Sequence, residues 1–239
     1  MLDIVRSSER FHLQNDWLSA YWHFSFDHYH DPSNMNWGPV RVFNNDTIQP
    51  SRGFPMHPHR DMEILTYVIS GALEHKDNTG GHGVIHPGEV QRMSAGTGIV
   101  HSEFNASATD PCELVQIWVL PAEKGVTPSY DQKQFSVEER SGTLLPIASG
   151  NGIPGTLRIG QDVTFYVSHL RPEDKITHDL KPERLGYLFA LGGRAEVNGE
   201  SIEKGDSVKI ARTSRIELQT SGEADLLFID LPCDGLLGP

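Results

Sequence analysis

Cysteine is nearly missing from the 239 residues: Cys112 and Cys233 are the only two. Two thiols cannot build a disulfide framework or a thiolate metal knot, which points to a reducing compartment. No run of 18 apolar residues occurs, so no bilayer-spanning helix is expected. Asp3, Arg6, Glu9 and Arg10 break up the first ten residues and leave no apolar stretch for a secretory signal. A cytoplasmic protein without membrane association is the expectation. Positive charge is also scarce, with 20 Lys and Arg against 32 Asp and Glu, a net charge of −12. The basic residues are scattered along the chain, which argues against direct nucleic-acid binding. No P-loop, Gly-x-Ser-x-Gly elbow or Cys-x-x-Cys pair appears. Gly150-Asn-Gly-Ile-Pro-Gly155 fits a dinucleotide-binding string, but Pro154 and the following Thr-Leu-Arg-Ile read as a strand rather than a phosphate-binding helix.

What the chain does have is β punctuation. Apolar or alternating runs at 64–69, 114–120, 164–167, 187–191 and 226–231 are separated by Gly, Pro, Asn and Asp. With 23 glycines and 15 prolines, few places remain for a helix. The best is a short one around Ser136 to Arg140, where Ser136 can cap and Glu138 and Glu139 suit the first turn. An all-β sandwich or barrel follows.

A weak internal repeat divides the chain. Residues 63–71 align on 184–192 at an offset of 121, 88–93 on 205–210 at 117, and 113–121 on 224–232 at 111. Three ordered matches with a shrinking offset read as two copies of one unit, the second with shorter loops. The expected division is a barrel over 1–135, a connecting segment over 136–155 rich in Gly, Ser, Pro and charge, and a second barrel over 156–239.

Ten of the twelve histidines lie at or before His101, and all four tryptophans fall in the first half. The sharpest signal among them is His57-Pro-His59, followed by His101-Ser-Glu103. Alternate residues of a strand share a face, so each pair presents two donors side by side, and two such strands facing each other make a four-ligand cage. Three neutral imidazoles and a carboxylate suit one divalent ion of Fe, Mn, Ni, Cu, Co or Zn, and a six-coordinate ion would keep two positions open for chemistry. Mapped through the repeat, these four residues become His178, Leu180, Leu218 and Thr220, so the second barrel is expected to hold no metal. His23, His28 and His30 near Asp27 and Asp31 read as solvated loop residues. Trp22, Phe24, Phe26 and Tyr29 read as packing of an N-terminal segment.

Gly53-x3-His57-x-His59-x3-Glu63-x7-Gly71 resembles the first cupin motif, and Gly88-x7-Gly96-x4-His101-x3-Asn105 resembles the second. Phe24-Ser-Phe26, Asp31-Pro32, Gly53-Phe54, His57-Pro-His-Arg60, Met62-Glu-Ile-Leu-Thr-Tyr67 and Met93-Ser-Ala-Gly-Thr-Gly-Ile-Val-His-Ser-Glu103 resemble one cupin branch, the pirins. The resemblance implies a bicupin, two consecutive jelly-roll-like barrels with few short helices, and an Fe(II)-type centre in the first. Cu, Ni, Mn, Co and Zn stay open as the native ion. General cupins ligate through the position of Glu63, and the pirin pattern uses Glu103. Four residues of straight strand carry Glu63 about 13 Å beyond His59, so Glu103 is the expected ligand, with Glu63 beside the site.

Some pirins are quercetin 2,3-dioxygenases, and animal members are transcriptional co-regulators. The expected activity is therefore oxygen-dependent ring opening of an enolic flavonol at His57, His59, His101 and Glu103, with Glu103 or Glu63 accepting the hydroxyl proton. Phe43, Phe54, Met56 and Met93 are the expected pocket walls. The alternatives are a metal-dependent interaction or regulatory protein that recognises a protein partner, and a cupin enzyme of other chemistry. A monomer is expected.

Overall fold

The computed structural model describes residues 1–233. Its strands are β1 (Leu2–Val5), β2 (Phe11–Gln14), β3 (Leu18–Trp22), β4 (Val40–Ile48), β5 (Gly53–His59), β6 (Glu63–Ser70) and β7 (Leu73–Asp77). Next come β8 (His82–Ile85), β9 (Glu89–Ser94), β10 (Ile99–Asn105), β11 (Cys112–Val119), β12 (Ser129–Gln134), β13 (Leu145–Ser149) and β14 (Leu157–Arg158). The last are β15 (Thr164–Leu170), β16 (Lys175–Asp179), β17 (Arg184–Val197), β18 (Glu200–Glu203), β19 (Ser207–Ile210), β20 (Arg215–Gln219) and β21 (Ala224–Pro232). One α-helix, α1 (Val137–Arg140), falls where expected: Ser136 Oγ accepts from the Glu139 amide, and the Glu139 carboxylate accepts from the Ser136 amide. Among the described residues no helix is long and apolar enough to cross a membrane.

The chain forms two compact all-β units, the two consecutive barrels that the cupin resemblance implies. In the N-terminal unit one sheet runs β12-β9-β6-β11-β4-β3-β2 and a second runs β5-β10-β7-β8. In the C-terminal unit the order β1-β19-β17-β21-β15-β13 is accompanied by the pair β16-β20. The repeat is visible in these orders: β9-β6-β11 corresponds to β19-β17-β21, and β5-β10 to β16-β20. The interiors follow from strand periodicity. β10 alternates buried and half-buried residues throughout, and β6 is buried along six consecutive positions.

The boundaries differ from the expected ones in three places. Residues 1–10 belong to the C-terminal unit, because β1 pairs antiparallel with β19 and fills a sheet edge that would otherwise be open. The stretch 136–155 is not a connector: it carries α1 and β13, and β13 pairs with β15. Residues 157–161 belong to the N-terminal unit, where the Gly160 carbonyl accepts from the Ala122 amide. At the positions expected to have lost their ligands, Leu180 and Leu218 are core residues of the C-terminal unit, and His178 lies against Tyr166, Phe228 and Asp230.

Candidate metal centre

The site is assembled where β5 crosses β10. His101 lies opposite His57 and Ile99 opposite His59, and then the register slips so that Glu103 faces Phe54. The slip is a bulge that leaves an extra residue on β5, a feature that re-aims side chains. Gly53 is required at the start of β5. A Cβ there would sit 2.1 Å from the Glu103 carbonyl oxygen and 2.5 Å from the Phe104 Cα.

The three imidazoles close into a triangle. Ring centroids are 4.9 Å apart for His57 and His59, 4.4 Å for His57 and His101, and 4.9 Å for His59 and His101. One nitrogen from each ring lies within 4.8 Å of the others, close enough for a single ion to gather them. His57 Nδ1 is 2.8 Å from the Pro55 carbonyl, which can only accept, so that nitrogen donates and Nε2 is the atom available to an ion. His101 Nε2 is buried and has no hydrogen-bond partner. Burial, reinforced by the imidazoles of His101 and His57, pushes His59 down to about 4, and burial with His57 and His75 pushes His101 down to about 3. Both rings are therefore neutral near pH 7, the form a metal ion needs.

Glu103 comes from the same strand as His101 and is buried. Gln116 Nε2 donates to both of its oxygens at 2.8 Å, and Gln116 Oε1 accepts from Trp118 Nε1 at 3.0 Å. Trp118 also meets the His59 ring edge-on at 4.7 Å. A donor from Glu103 lies within 4.8 Å of donors from His101 and His75, a second cluster that shares His101 with the triangle. Glu63 is elsewhere: its carboxylate accepts from Ser94 Oγ and from the Gly160 amide, and it neither joins a donor cluster nor lines the cavity described below.

Sequence reasoning passed over His75 and Asp77, which alternate on β7 as His101 and Glu103 do on β10. His75 Nδ1 is 3.3 Å from His101 Nδ1, and His75 Nε2 is 2.9 Å from Asp77 Oδ2. Burial would raise the Asp77 carboxyl, but hydrogen bonds from His75, Thr79 and Gly81 outweigh it and hold the group below the usual carboxylate range.

A cavity of about 380 Å³ opens beside the triangle, lined by Trp17, Trp22, Phe26, Phe54, Trp118, Asn44, Asp46, His57, Glu103 and Gln116 among others. Of the four expected wall residues only Phe54 lines it. Phe43 is buried and stacked on His23, Met93 packs with Ile64, Ala95 and Ile99, and Met56 points to solvent, 57% exposed. The other aromatic walls are Trp118 and, from the N-terminal segment that reads as packing in the sequence, Trp17, Trp22 and Phe26. Asn44 and Asp46 occupy alternate inward positions of β4, and each has a buried, unpartnered Oδ1. Burial, with a smaller contribution from Glu103, pushes the Asp46 carboxyl up to about 7.

The profile of the family described as Pirin matches residues 5–119, and that of the quercetinase C-terminal cupin domain matches residues 146–231. The chain is 37% identical to a quercetin 2,3-dioxygenase of Escherichia coli K12 over 97% of its own length and 99% of the relative's. It is 41% identical to a pirin-like protein of Caulobacter vibrioides, covering 90% of this chain and 92% of that one. The crystal structure of the E. coli pirin YhhW in complex with nickel(II) superposes with a TM-score of 0.92 at 36% identity, covering 97% of this chain and 99% of that one.

Proposed function

The chain belongs to the pirin family, and we propose that it is a metal-dependent dioxygenase that opens the heterocycle of a flavonol such as quercetin with O2. The observation that carries this reading is the triangle of three imidazoles beside an aromatic cavity. His57, His59, His101 and Glu103 are the proposed ligands of one divalent transition ion, Fe(II) ahead of Ni, Cu, Mn, Co or Zn. The donor set fits such an ion: a buried orphan Nε2 on His101, a His57 ring whose Nδ1 is engaged by a carbonyl so that Nε2 is the available atom, and no thiolate. The E. coli pirin crystallised in complex with nickel(II) supports a divalent transition ion for this chain. When bound, the metal supplies Lewis-acid polarisation that makes an enolic hydroxyl more acidic.

The remaining work falls to side chains. Trp17, Trp22, Phe26, Phe54 and Trp118 bind planar rings and exclude water. Asn44 Oδ1 and Asp46 Oδ1 accept hydrogen bonds from phenolic hydroxyls, which relieves their own unmet demand. Glu103 takes the enolic proton, with its oxygens aimed by Gln116 and Trp118. Glu63, committed to Ser94 and Gly160, takes no part in proton transfer.

The deciding test is oxygen uptake on adding quercetin to iron- or nickel-loaded protein. Multiple turnovers, lost in His101→Ala, are expected. A metal-loaded protein that binds quercetin without consuming O2 would leave a ligand-binding protein, and the dioxygenase reading would fall.

A further inference from the structure

We propose that Asp77 and His75 act through His101 as a tautomer lock, holding the proton of His101 on Nδ1 so that its buried Nε2 faces the metal position with a bare lone pair. The inference rests on reading His101 as a ligand. It concerns which nitrogen carries a proton, and no ring changes charge.

The argument runs along one chain of hydrogen bonds. Asp77 Oδ1 receives the Thr79 amide at 2.8 Å, the Thr79 hydroxyl at 2.7 Å and the Gly81 amide at 2.9 Å, so that oxygen is occupied by donors. Asp77 Oδ2 then faces His75 Nε2 at 2.9 Å, and a carboxylate can only accept. His75 therefore carries a proton on Nε2; the lock takes this ring in its one-proton form, which leaves Nδ1 as an acceptor. That Nδ1 lies 3.3 Å from His101 Nδ1, and one proton must sit between the two nitrogens. Since His75 has none there, His101 donates, and its Nε2, buried and without a partner, keeps the lone pair. His57 Nδ1 is likewise engaged from behind, by the Pro55 carbonyl. Hydrogen bonds of this kind to the far nitrogen of a ligand histidine orient the ring and raise its basicity.

The lock is built for rigidity. The side chains of His75 and Asp77 are fully buried, and Tyr130 stacks on the His75 ring at 4.6 Å. Residue 81 has to be glycine, because a Cβ there would lie 2.1 Å from Asp77 Oδ2.

Asp77→Asn gives a sharp test. Its amide oxygen stays with the Thr79 and Gly81 donors and its NH2 turns to His75 Nε2, which inverts the tautomers of His75 and then His101. Histidine-selective 15N NMR on the metal-free protein should show His101 protonated on Nδ1 in the native chain and on Nε2 in the variant. Nickel(II) titration should show affinity falling about 10- to 100-fold. His75→Phe, which removes the acceptor without inverting it, should release the His101 tautomer and weaken nickel binding without abolishing it. An unchanged tautomer with unchanged affinity in Asp77→Asn would overturn the lock. So would complete loss of nickel in His75→Phe to the level of His57→Ala, since His75 would then itself be a ligand. A native protein that binds no nickel would sink the ligand reading of His101, while the tautomers seen without metal still decide the lock.

Discussion

Two carboxylates that the motifs make equivalent are separated by what they touch. Glu103 lies within donor reach of His101, whereas Glu63 is tied to Ser94 and Gly160. Glu103→Gln is expected to lower both metal occupancy and turnover, read by elemental analysis and oxygen uptake. Glu63→Gln should keep the metal and the fold, because its amide oxygen can accept from the Gly160 amide while its NH2 donates to the Ser94 hydroxyl. Metal loss confined to the Glu63 variant would reverse the assignment. Asp46 is a different case, a buried carboxyl pushed up to about 7. Between about pH 4, its unfolded value, and about pH 7 the folded protein keeps a proton that the unfolded chain has released. Stability therefore falls as pH rises through this window, by up to about 1.4 kcal/mol per unit. Asp46→Asn removes that slope, and urea unfolding of metal-free protein should show the variant gaining on the native chain from about pH 5 to about pH 8. Parallel pH profiles would show that Asp46 ionises as freely as a surface residue.

At the scale of the element, the crossing of β5 and β10 sets the geometry. The two strands approach so closely at Gly53 that a methyl group would overlap the β10 backbone. Gly53→Ala is expected to force the strands apart, costing about 1–3 kcal/mol as an overpacked contact does. It should weaken nickel binding more than the same substitution at Gly222, where a Cβ would meet nothing within 4 Å. Thermal unfolding and nickel titration of the pair measure this, and equal affinities would mean that the bulge does not set ligand geometry. β7 matters in the same way, since its alternation brings His75 and Asp77 to the far side of His101.

For the whole molecule the expectation is one metal ion per chain. Both donor clusters lie in the N-terminal unit and share His101, while the matching positions of the C-terminal unit include Leu180 and Leu218 in its core. Elemental analysis of protein loaded with nickel and desalted should give close to one ion per chain, and His101→Ala should give close to none. Two tightly held ions, or one retained in His101→Ala, would require a site that neither cluster accounts for.

Strand periodicity and the repeat were legible in the residues because both are local. A spacing of two puts His57 beside His59 and His101 beside Glu103 wherever those strands go, and the ordered matches between the halves anticipated the shared orders β9-β6-β11 and β19-β17-β21. Ser136 announced its helix by capping chemistry that spans four residues. What depends on strands meeting at long sequence separation was not legible. Residues 1–10 complete the sheet of the C-terminal unit, β13 arises inside a stretch with linker composition, and the cavity takes most of its aromatic walls from Trp17, Trp22, Phe26 and Trp118, with Phe54 alone of the expected neighbours of the motifs. His75, Asp77, Asn44, Asp46 and Gln116 are ordinary polar residues along the chain. Only cross-strand pairing, which no local pattern encodes, places them against His101 and Glu103 or around the cavity, and burial there gives them their roles.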